Sequence, residues 1–367
     1  MSKNILLIAS GLFNAGGIER YNQNLAKVII KNGYSIKIIS KNDIIHKSSA
    51  EISYSSYGHI KNSVLRKIFF SITTFRKAFS SDIIMCGHIN FSPLCFLISK
   101  LLRKKYMVLT YGIDVWSITD KMKKKALKEA SLVITISNFT KDKIMSQFPE
   151  IKNKIQLLPP PIDGERFYPK SKSDYLMNRH ELKKDDKILL TITRLKKTEG
   201  YKGYNKILKA LPAILKKFPT IKYILIGPGD DLENIQNYIK KKNLSGKVIL
   251  TGYIPDKELL DYYNLCDIFV MPSKGEGFGI VFLEALACGK PVIAGNKDGS
   301  RDALLDGELG ILVDPDNIDE IAETIVKVLK KDVPEKLLDG KYLRKRVLEV
   351  YGFDKFKERV RDLLRVI

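Results

Sequence analysis

Residues 275–284 read Gly-Glu-Gly-Phe-Gly-Ile-Val-Phe-Leu-Glu, three glycines within five positions and two acids eight apart. The segment follows an apolar run, 267–271, that reads as a buried strand, and leads into a helical stretch stopped by Gly289-Lys290-Pro291. A glycine-rich strand-to-helix turn lets a ligand approach the backbone closely. The helix that follows offers unpaired N–H groups and a positive dipole end, which suit a phosphate. Glu276 would sit in the loop and Glu284 about one turn into the helix, so both reach one crevice at the carboxyl edge of the sheet. Two acids at this spacing occur often by chance; the strand, glycine loop and Gly-Lys-Pro stop around them give the spacing its meaning.

Cations come from a second loop. Arg194 closes the apolar run 188–193, and Lys202-Gly203 stands just before the next helical stretch. Both would project from the edge that carries the glutamates. Fixed cations beside a helix N-terminus bind a diphosphate and stabilise the charge that develops as it leaves. Lys196 and Lys197, in the same loop, read as solvated. Gly227-Pro228-Gly229-Asp230 and Gly252-Tyr253 end two further strands at this edge, although turn chemistry alone accounts for both. Gly16-Gly17-Ile18-Glu19-Arg20 opens the first helix and is not the G-x-G-x-x-G of a dinucleotide fold, which weakens a dehydrogenase reading.

The elements that must hold these loops alternate along the chain, as in parallel sheets with crossover helices. Strands are expected at 4–9, 35–39, 83–86, 106–110 and 132–136, with helices at 19–31, 64–78, 93–102, 123–130 and 139–145. Three successive prolines, Pro159–Pro161, with Asp163-Gly164 after them, read as a linker. The alternation then restarts, with strands at 188–193, 222–226, 248–251, 267–271, 291–294 and 310–313. Its helices are expected at 204–218, 232–242, 257–265, 280–288 and 318–330. Two doubly wound α/β domains result, 1–165 and 166–354.

Composition narrows the classes. The chain has 367 residues, 44% of them hydrophobic, and no apolar run near the roughly 18 residues a membrane span needs. Only Lys3 precedes the first five-residue apolar run, too short for a secretory core and better read as a strand. Cys86, Cys95, Cys266 and Cys288 are scattered, as buried thiols in a reducing compartment would be. His46, His59, His88 and His180 never pair at helical spacing, so no metal site is expected. Net charge is +22, with 25 basic against 11 acidic residues up to Glu165. Such a surface suits anionic lipid, nucleic acid or phosphorylated substrates, unless it reflects only a lysine-rich proteome.

Together these segments resemble glycosyltransferase family 4, the retaining group with the GT-B fold: two Rossmann-like domains facing each other across a cleft. The resemblance rests on Gly16–Arg20, Arg194 with Lys202-Gly203, Glu276 with Glu284, and Asp298-Gly-Ser-Arg-Asp302 before Gly310-Ile-Leu-Val-Asp314-Pro315. It implies that Glu276 contacts the donor sugar and that the backbone from Gly277 through Phe278 and Gly279 to Ile280 holds sugar and phosphate. It further implies Glu284 on the ribose, Arg194 and Lys202 on the diphosphate with Gly227 nearby, Tyr253 at the base and Gly17 from the opposite domain. A final helix, 355–367, would return to the first domain. Retention is implied by the resemblance alone. Tyr111 stands where many members carry a histidine, so His88 and Asp114, both after first-domain strands, become candidates for the catalytic side. The loop from Arg194 to Lys202 is longer than the family's common form. Asp314-Pro315-Asp316 reads as a turn and not as a metal-binding D-x-D.

The expected reaction moves a hexosyl group from a UDP- or GDP-sugar to a saccharide or lipid-linked saccharide, in polysaccharide or glycolipid assembly. Neither cofactor nor metal is expected. The expected location is cytoplasmic, with contact to the inner face of the cell membrane open. Lys61, Arg66, Lys67, Arg76 and Lys77 interleave with Phe69, Phe70, Phe75 and Phe79, which fits either an anionic bilayer or an amphipathic helix packed on its own sheet. The alternatives are an epimerase or inverting transferase of the same architecture, which the Arg–Lys and two-acid set disfavours. A non-catalytic basic binding protein is the other class, and no nucleic-acid module is visible.

Overall fold

The computed structural model describes residues 3–13, 16–44 and 52–366; His46 lies outside them. The chain divides into two compact units, Met1–Pro161 with Phe353–Ile367, and Ile162–Gly352.

The first unit holds a seven-stranded sheet: β1 (Asn4–Ala9), β2 (Ser35–Ser40), β3 (Ile52–Ser56), β4 (Ile83–Cys86), β5 (Lys105–Thr110), β6 (Leu132–Thr135) and β7 (Ile155–Leu157). Its helices are α1 (Gly17–Lys31), α2 (Ser63–Phe79), α3 (Ser92–Leu102), α4 (Ile113–Trp116), α5 (Lys121–Glu129) and α6 (Asn138–Gln147). Strand order is β3-β2-β1-β4-β5-β6-β7, and every pairing is parallel. The central strands are covered on both faces, which is why 5–9 and 83–86 read as unbroken apolar runs and are buried throughout.

The second unit begins with α7 (Asp174–Arg179) and repeats the plan with β8 (Lys187–Ile192), α8 (Tyr204–Leu215), β9 (Ile221–Ile226), α9 (Leu232–Lys241), β10 (Val248–Gly252) and α10 (Leu259–Leu265). It continues through β11 (Ile268–Met271), α11 (Ile280–Ala287), β12 (Val292–Gly295), α12 (Ser300–Ala303), β13 (Ile311–Val313) and α13 (Ile318–Leu329), and closes with α14 (Gly340–Tyr351). Its strand order is β10-β9-β8-β11-β12-β13, again all parallel. The last helix, α15 (Phe353–Arg365), belongs to the first unit, where Phe356 meets Tyr21 of α1 edge to face at 5.9 Å.

Each strand expected from the alternation is present with ends within one residue, and helix ends move by up to three. The sequence reading passed over β3, β7, α7 and α14, and the four-residue helices α4 and α12. Strand β3 is a sheet-edge segment, Ile-Ser-Tyr-Ser-Ser, with little apolar content, and β7 is only three residues long. In α14 only Leu343, Val347 and Tyr351 are buried, at four-residue spacing among charged neighbours.

Candidate functional site

In each sheet the strand order reverses at one place, and loops that leave adjacent strands on opposite sides of that place open a crevice. In the second unit the reversal falls between β8 and β11. The loop after β8 carries Arg194 and Lys202; the loop after β11 carries Gly275 to Gly279. The two loops thus meet because of strand order, and their side chains interlock. Lys202 Nζ donates to Glu276 Oε1 in an ion pair whose side chains are only 13% and 14% exposed. Burial disfavours the Lys202 charge, yet the Glu276 carboxylate outweighs it and holds the ammonium above its ordinary pKa. Lys274 N–H donates to Tyr201 O at 2.9 Å, a backbone tie between the same loops.

Close approach requires glycine. A Cβ on Gly203, whose φ is +83°, would lie 2.2 Å from Pro272 O, and one on Gly275 would lie 2.4 Å from the Tyr201 ring. Gly279, at φ +90°, caps α11 and hands the chain to Ile280 at the helix N-terminus. Phe278 turns inward, edge to face with Tyr351 at 5.4 Å, and is buried.

Arg194 does not join the Lys202–Glu276 pair. Its guanidinium, 61% exposed, pairs with Glu199 at 3.0 Å, and Glu199 itself is buried. Glu199 occupies the long stretch between Arg194 and Lys202, and sequence reasoning gave it no role; nothing in its spacing distinguishes it. Glu284 is 3% exposed, and Tyr263 Oη donates to its Oε2 at 2.6 Å. Gly227, at φ +144°, packs against the start of the β8 loop, where a Cβ would meet Thr193 O at 1.7 Å. Tyr253, after β10, is 65% exposed.

Asp298 is the organising residue that the sequence reading noted only as part of a family segment. Wholly buried, it accepts through Oδ2 from Glu276 N–H at 2.7 Å and Ser273 Oγ at 2.8 Å, and through Oδ1 from Ser300 N–H at 2.9 Å. Burial pushes its carboxyl up to about 6, against the pull of those donors. Asp314 and Asp316 take part in a lysine network instead: Lys297 reaches both, at 2.6 and 3.2 Å, and Lys274 reaches Asp316 at 2.7 Å. These contacts lower both carboxyls, Asp316 to about 2.

The first unit reverses between β1 and β4, and a cavity of about 490 Å³ opens there. Ser10 and Glu19 line it from the β1 side, His88 and Asn90 from the β4 side, and Lys41 and Lys67 add charge. His88 Nδ1 accepts from Asn90 N–H at 3.1 Å, and its ring stacks on Tyr111 at 6.4 Å. Burial, then nearby Lys123, lowers its pKa, so the ring is neutral at physiological pH. Tyr111 Oη donates to Asn22 at 2.8 Å inside the core, and burial raises its pKa well above the usual phenol range. Asp114 accepts from Tyr111 N–H at 3.1 Å, with its carboxyl pushed up to about 7 by burial. Gly17 is the first residue of α1. The β1 loop has its own buried anchor, Asp43, which accepts from Leu12 N–H at 2.6 Å and from Tyr54 Oη.

Two parallel doubly wound units, each with polar side chains gathered at a reversal of strand order, define a two-unit α/β protein. The family model for "Glycosyl transferases group 1" matches residues 173–345, and that for "Glycosyltransferase Family 4" matches residues 15–166. The chain belongs to glycosyltransferase family 4, with the GT-B architecture. It is 29% identical to a GDP-mannose-dependent alpha-(1-6)-phosphatidylinositol monomannoside mannosyltransferase of Mycolicibacterium smegmatis, over 62% of this chain and 61% of that relative. It is 27% identical, over 99% of this chain and 100% of the other, to an uncharacterized glycosyltransferase of Haemophilus influenzae. Among solved structures, Anabaena Alr3699/HepE in complex with UDP and glucose superposes with a TM-score of 0.81 at 18% identity, each chain covered in full. At that identity the likeness speaks for the fold.

Proposed function

We propose that the protein transfers a hexosyl group from a UDP- or GDP-sugar to a saccharide or lipid-linked saccharide, with retention of configuration and without a metal ion. The observation that carries this reading is the Lys202–Glu276 pair, set among glycine contacts where β8 and β11 diverge. In the proposed complex the diphosphate takes Lys202 from Glu276 and draws on Arg194. Glu276, released, accepts from the sugar hydroxyls. The α11 N-terminus and the two cations stabilise the charge on the departing nucleoside diphosphate, the role a divalent ion fills elsewhere. Glu284, fixed by Tyr263, takes the ribose, and the exposed Tyr253 meets the base. The neutral His88, at the first unit's cavity, belongs to the acceptor side, and so does the raised Asp114 held by the Tyr111 backbone.

The relatives' names make GDP-mannose the first donor to try, and a phosphatidylinositol-type or other lipid-linked acceptor the first acceptor class. Among the described residues no helix is long and apolar enough to cross a membrane, and the four cysteines are free and buried. Both facts suit the cytoplasmic location we propose. The test is donor hydrolysis and transfer across a panel of nucleotide sugars in excess EDTA. Turnover of one sugar in EDTA, reduced about 100-fold or more by Lys202→Ala or Glu276→Ala, is expected. Near-normal turnover in either variant, or a strict need for added metal, would contradict the assignment.

A further inference from the structure

Helix α2 has two apolar faces, and only one is used. Phe70, Thr74 and Ala78 are buried, four residues apart, and form the narrow stripe that packs on the first unit. Val64, Leu65, Ile68, Phe69, Ile72 and Phe79 are 46–62% exposed. At 3.6 residues per turn they gather within an arc of about 140° on the opposite side. Single exposed apolar residues are ordinary, but six on one helix are a surface meant to be covered. Leu97 and Leu101 of the neighbouring α3 extend it, and Lys104 of the α3 end donates to the carbonyl of Phe79 at 3.3 Å.

The charges around this face indicate what covers it. Lys61 and Arg76 are exposed, and no acid occurs from Ile60 to Ser81. A two-fold dimer would press these cations against their own copies, because such an interface meets itself. An anionic bilayer answers both features: lipid chains cover the apolar arc and headgroups meet the cations. With 17 residues, α2 would lie in the membrane plane. Its other flank, through Lys67, Phe70 and Ser71, lines the first unit's cavity.

We infer that α2 docks on an anionic lipid surface through this outward face, bringing the cavity beside a lipid-linked acceptor. The docking stands on the helix itself; only its use for acceptor delivery rests on the proposed transferase reading.

Sedimentation with vesicles of phosphatidylcholine, with or without phosphatidylglycerol, tests it. The wild type should bind the mixed vesicles at low salt, release in high salt and ignore phosphatidylcholine alone. Phe69→Ser with Ile72→Ser, and separately Lys61→Glu with Arg76→Glu, should each weaken partitioning at least ten-fold, with unchanged melting temperature. Donor-induced stabilisation should persist in both variants. No binding to the mixed vesicles, binding unaltered by both pairs, or a dimer that the serine pair dissociates would overturn the inference. Vesicle binding with no response to any nucleotide sugar would leave docking in place and remove the donor reading, and the reverse pattern would do the opposite.

Discussion

Lys202 and Glu276 stand 74 positions apart in the chain, and each is more than four-fifths buried on its side chain. Removing either leaves the other's charge short of a partner, at a cost of about 3 kcal/mol. Lys202→Met combined with Glu276→Gln should recover most of that loss, and melting temperatures of the singles and the double check it; equal losses in all three would mean the pair is not coupled. Asp298 yields a pH prediction. With its carboxyl at about 6 in the fold and near 3.8 unfolded, the folded state holds the extra proton in between. Its contribution to stability is therefore full below about pH 4 and is lost as pH rises through 6. Asp298→Asn should remove that decline, as read from urea midpoints at pH 4.5 and 7; parallel pH profiles would refute it. At this scale the sequence exposed residues whose types announce chemistry, a lysine before a Gly hinge and a glutamate between glycines. Glu199 and Asp298 were hidden because their roles depend on partners brought near only by folding, Arg194 for one and the Glu276 backbone for the other.

The loops hold their shape through contacts that tolerate no side chain. A Cβ on Gly299 would lie 2.2 Å from Gly277 O, although its φ of −67° suits any residue. Gly299→Ala should therefore act by displacing the glycine loop, costing roughly 1–3 kcal/mol and weakening nucleotide binding at least ten-fold. Calorimetric titration beside a melting curve checks both parts, and unchanged affinity would show that the loop is not the binding surface. Helix α14 supports the same region from behind. Arg344 donates to Phe167 O at 2.6 Å, Ala287 O at 2.7 Å and Gly164 O at 2.9 Å, tying the start of the second unit to the end of α11. Arg344→Ala leaves three carbonyls without this donor and should lower stability by about 3 kcal/mol, while Lys345→Ala next to it, largely exposed, should change little. Elements with dense apolar runs were legible, since burial on both faces writes itself into composition. Helix α14 was not, because a few buried contacts and one arginine hold it. The second face of α2 was ambiguous for the opposite reason: its apolar residues ring the helix, and only the fold separates the covered from the bare.

Over the whole molecule, the repeated order of strands explains why one chain offers two edges rich in polar side chains. The first unit presents a neutral histidine and two cavity lysines, the second an ion pair and a helix N-terminus. The break was expected at 165 because three prolines cannot continue a strand, and the return of the last helix only from the family resemblance; the units divide at Pro161 and at Gly352. The excess of basic residues up to Glu165 now has a local counterpart in α2 and the cavity it flanks. The claim beneath all of this is that Lys202 grips a diphosphate at the edge of the second sheet. Isothermal titration of UDP and GDP into the wild type and Lys202→Ala, with the variant's fold checked by circular dichroism, addresses it directly. One nucleotide should bind the wild type, and the folded variant should bind it at least ten-fold more weakly. Equal affinity in the two proteins would contradict the account.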